Sequence, residues 1–206
     1  MARAASILKW AAVAVAVATP VAIAANSPYL AYRDPAYIIA GFAGVLGLAL
    51  ILIQPLLAAG YLPLPSLALS RRLHRWLGVT LVSLVVVHVG GLWLTSPPDV
   101  ADALLFRSPT PFSLWGVLAM WTLFAAALAA LFRRRLRISP TAWRRLHTAL
   151  ALATVLGVAA HAMLIEGTMG FASKAMLCAA VVLATIAAIA RLGAWRRWTK
   201  PVGRRN

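Results

Sequence analysis

The chain has 206 residues, of which 63% are apolar and only 12% are charged, whereas a soluble domain carries about a quarter charged residues. This composition excludes an ordinary soluble globular protein and indicates an integral membrane protein. The formal net charge of +16 would suit nucleic-acid binding in a soluble chain, but the positions of the charges explain it differently.

Six apolar segments are each long enough to cross a bilayer as a helix, which requires about 20 predominantly apolar residues. They cover residues 7–25, 36–59, 73–95, 113–132, 143–165 and 174–192. Turn-forming residues separate them. We therefore predict an all-α integral membrane protein, a six-transmembrane-helix bundle. Residues 1–35 would form the first helix and an outer loop, 36–192 the main membrane domain, and 193–206 a basic tail.

The charges predict the orientation of this bundle. With six crossings, the N-terminus, the 60–72 loop, the 133–142 loop and the C-terminal tail share one side of the membrane. That side carries all lysines and arginines except Arg33, Arg107 and Lys174, which makes 17 of the 20. The opposite side carries every acidic residue, namely Asp34, Asp99, Asp102 and Glu166. The positive-inside rule then predicts that the N-terminus and C-terminus are cytoplasmic. Because topology and anionic lipid explain the basic surplus, we expect a lipid bilayer and no nucleic acid as partner.

The first segment has an alternative interpretation. Arg3, an apolar stretch and the small residues of 22–25 are also typical of a signal peptide or signal anchor. Cleavage there would leave the predicted orientation of the later helices unchanged.

All four histidines belong to two copies of one pattern, Arg-Arg-Leu-His followed by thirteen residues and a second histidine. The copies run from Arg71 to His88 and from Arg144 to His161. Fourteen residues of α-helix make about 3.9 turns and rise about 21 Å, so the two histidines of a copy share nearly one face. The third and fifth segments run parallel, and we therefore expect His74 to be level with His147, and His88 with His161.

Ionisable residues inside a transmembrane helix are costly and are functional candidates by default. Each histidine taken alone could simply make an interhelical hydrogen bond. Two imidazoles at each level, however, are what a six-coordinate haem iron accepts, whereas structural zinc requires four ligands. The pattern thus favours two b-type haems, with His74, His88, His147 and His161 as axial iron ligands. Since such iron has no open position, electron transfer is favoured over oxygen binding.

Other residues of the apolar segments allow two interpretations each. Arg71, Arg72, Arg144 and Arg145 lie where the propionates of an inner haem could accept charge-assisted hydrogen bonds, but they also fit ordinary cytoplasmic anchors. Trp115, Trp121 and Phe124 could relay electrons or simply pack between helices. No strand precedes Gly41, Gly44 and Gly47, so they predict close helix packing and no nucleotide site.

Six segments with His-x13-His on the third and fifth resemble the ferric reductase-like transmembrane domain of ferric reductases and NADPH oxidases, over about residues 36–192. This resemblance implies that His74 and His147 ligate the inner haem, and His88 and His161 the outer haem. It also implies an oxidoreductase component that carries electrons from a cytoplasmic or membrane donor to an outer acceptor such as ferric iron, oxygen or a periplasmic reductase. No catalytic side chain is assigned.

The chain departs from complete enzymes of that family, which continue into flavin- and NAD(P)H-binding domains. It contains no His-Pro-Phe-Thr-like flavin motif and no Gly-x-Gly-x-x-Gly after a strand, so we expect no flavin or nicotinamide site here. A separate flavoreductase or quinol would then supply electrons.

The chain is also similar to the haem-bearing membrane subunit of the periplasmic methionine-sulfoxide reductase system, although the third helix of that group lacks an equivalent of His74. That similarity implies a protein that could feed a periplasmic reductase. The arginine-heavy, alanine-rich composition points to a bacterial source, and we therefore expect a bacterial inner (cytoplasmic) membrane protein. The alternative from another class is a non-redox transporter or assembly protein that uses the histidines for proton or metal binding.

Overall fold

The computed structural model describes residues 2–193, and within that range the chain forms only helices. A short 3-10 turn, Pro28–Leu30, follows the first helix. The seven α-helices are α1 (Ala2–Ala25), α2 (Pro35–Ala58), α3 (Leu67–Thr95), α4 (Pro97–Leu104), α5 (Pro111–Phe132), α6 (Pro140–Leu164) and α7 (Phe171–Leu192). The basic tail expected at 193–206 lies outside the described residues, apart from Gly193.

Six of these helices are long and apolar enough to cross a membrane, which confirms the predicted six-helix membrane bundle. The seventh, α4, is a two-turn helix where the sequence indicated only a turn. Pro97 at its first position and Asp99 in its first turn both favour a helix start, because proline presets φ and a carboxylate suits the positive end of the helix dipole.

Local sequence fixes where the two histidine-bearing helices begin. Ser66 caps α3 by accepting a hydrogen bond from the Leu69 N–H, and Ser139 caps α6 by accepting one from the Ala142 N–H. Pro140 follows as the first residue of α6, where its missing N–H costs nothing. Both helices therefore start a similar distance before their first histidine, which sets the two copies of the pattern in register.

The helices pack as two antiparallel hairpins, α2 with α3 and α5 with α6, while α7 packs against both α2 and α6. Each hairpin has a close approach at a glycine. A Cβ added at Gly91 would lie 2.8 Å from the Ala40 Cβ, and one added at Gly157 would lie 3.0 Å from the Ala119 Cβ. Small residues at such crossings let membrane helices approach closely without a hydrophobic driving force.

In contrast to the hairpins, α3 and α6 make almost no direct backbone contact with each other. The apolar core instead lies between α2, α6 and α7, and its members include Leu48, Ile51, Leu52, Val155, Leu177 and Val181. Many large side chains outside that core are exposed, such as Leu131 and Leu183, as expected for surfaces that face lipid.

The helix ends divide the charges as the sequence predicted. We call the end with the 59–66 and 133–139 loops the basic end, and the end with the 26–34, 96–110 and 165–170 loops the acidic end. Which end faces the cytoplasm stays a prediction.

Cysteine labelling would test this orientation. In a Cys178→Ala background, which removes the one native and buried thiol, we expect Ala31→Cys at the acidic end to react with a membrane-impermeant maleimide on intact cells. Leu136→Cys at the basic end, an exposed position, should react only after permeabilisation. The reverse labelling pattern would contradict the predicted orientation.

Candidate functional site

The bundle brings the four histidines together as two pairs between α3 and α6. The ring centroids of His74 and His147 are 6.1 Å apart at the basic end, and those of His88 and His161 are 6.4 Å apart toward the acidic end. In both pairs the ring planes are nearly perpendicular, at 78° and 82°. Each pair joins one histidine from each copy of the sequence pattern.

The distance within each pair suits one metal ion held between the rings. Two metal–imidazole bonds of about 2.0 Å, with about 1 Å more from each nitrogen to its ring centre, separate the centroids by about 6 Å. Residues 2–193 contain no group of three or more histidines, cysteines or carboxylates that could hold a metal. Each pair therefore offers two protein ligands, and a metal there would need its other positions filled by something besides the described side chains.

At the acidic-end pair, both rings have their second nitrogen satisfied by a backbone carbonyl of the adjacent helix. The His88 Nδ1 lies 2.7 Å from the Ala40 carbonyl oxygen on α2, and the His161 Nδ1 lies 2.9 Å from the Phe112 carbonyl oxygen on α5. A carbonyl can only accept, so Nδ1 carries the proton and donates. That tautomer leaves Nε2 with a free lone pair, as a metal ligand requires.

A glycine makes each of these carbonyls accessible. Side chains on a helix tilt toward its N-terminus, so the side chain at i+4 leans over the carbonyl of residue i. Gly44 stands four residues after Ala40, and a Cβ there would lie 3.0 Å from the His88 Nδ1. Gly116 stands four residues after Phe112, and a Cβ there would lie 2.7 Å from the His161 Nδ1. We call this combination of a carbonyl and an i+4 glycine a ring seat.

The first ring of the basic-end pair, His74, is held differently. Its Nδ1 lies 3.2 Å from the backbone carbonyl oxygen of Gln54 on α2. The Gln54 side-chain amide lies against the same turn of α3, where its oxygen can accept from the Gly78 N–H at 2.8 Å and its nitrogen can donate to the His74 carbonyl at 3.2 Å. Gln54 thus contacts His74 through both its backbone and its side chain.

The second ring of this pair, His147, has no carbonyl seat. Its Nδ1 is buried and has no hydrogen-bond partner among the described residues. The Trp143 ring stacks on it with centroids 4.9 Å apart and planes 20° apart. The Arg133 guanidinium carbon in turn lies 5.0 Å from the centre of the Trp143 ring.

A family model described as "ferric reductase like transmembrane component" matches residues 40–158, more than half of the chain. The chain belongs to the ferric reductase-like transmembrane family. This confirms the resemblance drawn from the histidine spacing, and it gives the chain a redox role in a membrane. The matched region contains His74, His88 and His147 and ends three residues before His161. Comparison with curated proteins and with solved structures returned no match.

The arginine pairs of this family member divide by helix face. At about 100° per residue, the first arginine of each pair lies about 60° around the helix from the following histidine, and the second about 160°. Arg72 accordingly lines a groove with Arg75, Trp76 and Val79 on the far side of α3 from His74. Helical geometry therefore favours Arg71 and Arg144 over Arg72 and Arg145 for groups bound between α3 and α6.

Sequence reasoning missed the residues that hold the rings. Gln54 carried a signal, because it is the only glutamine of the chain and precedes a proline inside an apolar segment. Gly116 carried none, since an isolated glycine in a membrane helix is common. Among the glycines predicted to pack closely, the prediction is wrong for Gly41 and Gly47, whose added Cβ would meet nothing within 4 Å.

Alanine substitution would test the ring seats. We expect Gly116→Ala to lower the free energy of unfolding by about 1–3 kcal/mol, because its Cβ must displace the His161 ring from the Phe112 carbonyl. Gly44→Ala should have a smaller effect of the same sign. Denaturant unfolding in detergent, followed by circular dichroism, measures both.

Gly41→Ala and Gly47→Ala are matched controls on the same helix as Gly44. Their Cβ atoms enter open space, and alanine favours a helix over glycine by up to about 1 kcal/mol, so stability should be unchanged or raised. Equal losses in all four variants would contradict the ring-seat interpretation.

Proposed function

We propose that this protein carries electrons across the membrane through two bis-histidine b-type haems, from a cytoplasmic or membrane donor to an acceptor on the outer face. His74 and His147 would ligate the haem at the basic end, and His88 and His161 the haem at the acidic end. The observation that carries the proposal is the pairing of rings at both levels at a spacing suited to a shared metal ion.

The donor set fits haem better than a bare ion. Each level supplies two imidazole nitrogens, and a haem iron needs two from the protein because the porphyrin fills its other positions. The sparse backbone contact between α3 and α6 is compatible with a flat macrocycle between them. When bound, haem supplies one-electron iron chemistry with no position left open for oxygen.

The chain itself would orient the iron ligands and exclude water between the two levels. Leu81 and Thr154 stand midway between the histidines of their helices and are 2% and 5% exposed. The Thr154 hydroxyl donates locally to the Leu150 carbonyl and lies 2.9 Å from the Thr122 hydroxyl. Residues 148–160 contain no ionisable side chain. A buried stretch without ionisable side chains suits electron transfer better than the proton or metal-ion transfer of the alternative transporter hypothesis.

The electron partners would lie at the two ends of the bundle. We infer a separate flavoreductase or quinol as donor at the basic end, and ferric iron, oxygen or a periplasmic reductase as acceptor at the acidic end. The proposed setting is the bacterial inner membrane. In support, the family implies redox partners in general, and the charge distribution favours a cytoplasmic basic end.

Haem content tests the ligand assignment. Protein purified after haem-replete expression should show a b-type spectrum with about two haems per chain. His88→Ala, His161→Ala and the double variant should each retain about one haem, because both residues serve one site. His88→Ala combined with His147→Ala should retain none. A colourless wild-type preparation, or additive losses within one pair, would contradict the proposal.

Vectorial electron transfer tests the route. The assay uses vesicles with ferricyanide inside and dithionite outside. The wild-type protein should carry electrons inward and reduce the enclosed ferricyanide, which is followed as a loss of its absorbance. His88→Ala and His74→Ala should each slow this to the rate of protein-free vesicles, because one remaining centre cannot span the bilayer. Undiminished transfer in either variant would exclude a path through both levels.

A further inference from the structure

The four histidines are not held equivalently, and His147 is the exception. Three rings place Nδ1 beside a backbone carbonyl of the adjacent helix, at Ala40, Phe112 and Gln54. The His147 Nδ1 is buried but has no such partner among residues 2–193. A buried imidazole without that hydrogen bond lacks the contact that usually fixes both its orientation and its tautomer.

The contact that His147 does have is an aromatic stack from within its own helix. Trp143 precedes it by one turn, and the two rings lie nearly parallel at 4.9 Å. Rotation of the imidazole about its Cβ–Cγ bond would drive its edge into the indole face. Residues four apart on a helix are neighbours, so the spacing of Trp143 and His147 allows this stack within α6.

Arg133 completes the arrangement from the end of α5. Its guanidinium lies 5.0 Å from the Trp143 ring centre, within the range of a cation–π interaction. The indole is thereby linked to a second helix, and its position does not depend on α6 alone.

We propose that Trp143 is a positioning residue, which takes the place of the missing hydrogen bond and holds the His147 ring edge-on toward His74. Stacking fixes the plane of a ring but leaves its tautomer free. The basic-end site is therefore the more weakly held of the two, and it depends on an aromatic side chain at position 143. This inference rests on the proposed haem ligation by His147.

The test compares Trp143→Leu with Trp143→Phe in the haem-loaded protein. Haem content is measured by pyridine haemochrome, and the two low-spin ferric signals by electron paramagnetic resonance. His147→Ala and His161→Ala assign each signal to its level. Trp143→Leu should lose most of the basic-end signal, so that the haem content falls about twofold, while Trp143→Phe, which can still stack, should keep both signals.

Trp76→Leu is the matched control. Trp76 is an exposed tryptophan that lines the groove on the far side of α3 from His74, and its loss should leave both signals intact. Within Trp143→Leu, the acidic-end signal reports on the overall fold and should keep its wild-type intensity.

Three results would overturn the proposal. They are two intact signals in Trp143→Leu, equal loss of both signals in that variant, and a Trp143→Phe variant as impaired as Trp143→Leu. A wild-type protein without haem would instead defeat the proposed function itself. If His147→Ala loses one haem while Trp143→Leu behaves as wild type, only the positioning role fails.

Discussion

An imidazole buried in a membrane must be held within the protein, by a hydrogen bond to one ring nitrogen or by packing against its face, before the other nitrogen can serve as a metal ligand. No water is available in the bilayer core, and an unpaired polar group there is costly. The chain meets this requirement mainly with backbone carbonyls of helices that already exist for packing. At the acidic end, Ala40 and Phe112 contribute only their backbone carbonyls. The glycine four residues after each of them leaves that carbonyl accessible to the histidine ring.

This requirement explains why the bundle is built from two hairpins. Each hairpin pairs a histidine-bearing helix, α3 or α6, with a helix that supplies the carbonyl, α2 or α5. Those two pairs have the most extensive helix contacts within residues 2–193. The faces of α3 and α6 that carry the rings are then left to meet each other only loosely. Tight packing behind the histidines and a loose contact between them are compatible with the proposed haem between α3 and α6.

The two ends of the bundle solve the same problem differently. The acidic-end pair has two equivalent ring seats, whereas the basic-end pair combines Gln54 with the Trp143 stack. Family membership and the six crossings make a membrane redox role secure. The proposed two-haem path gives this asymmetry a consequence, because centres that are held differently would differ in stability and in their spectroscopic signals.

The sequence by itself determined the six crossings, the parallel run of the third and fifth helices and the levels of His74, His88, His147 and His161. These follow from hydrophobic length and a fixed helical rise, both of which are local properties. Only the tertiary structure decided what holds each ring. Gln54, Gly116 and Trp143 act through their distance to a histidine, and in the first two cases that distance spans helices whose rotation and crossing depend on packing. A carbonyl is present in every residue, so no sequence pattern distinguishes the one that accepts a hydrogen bond from a distant ring.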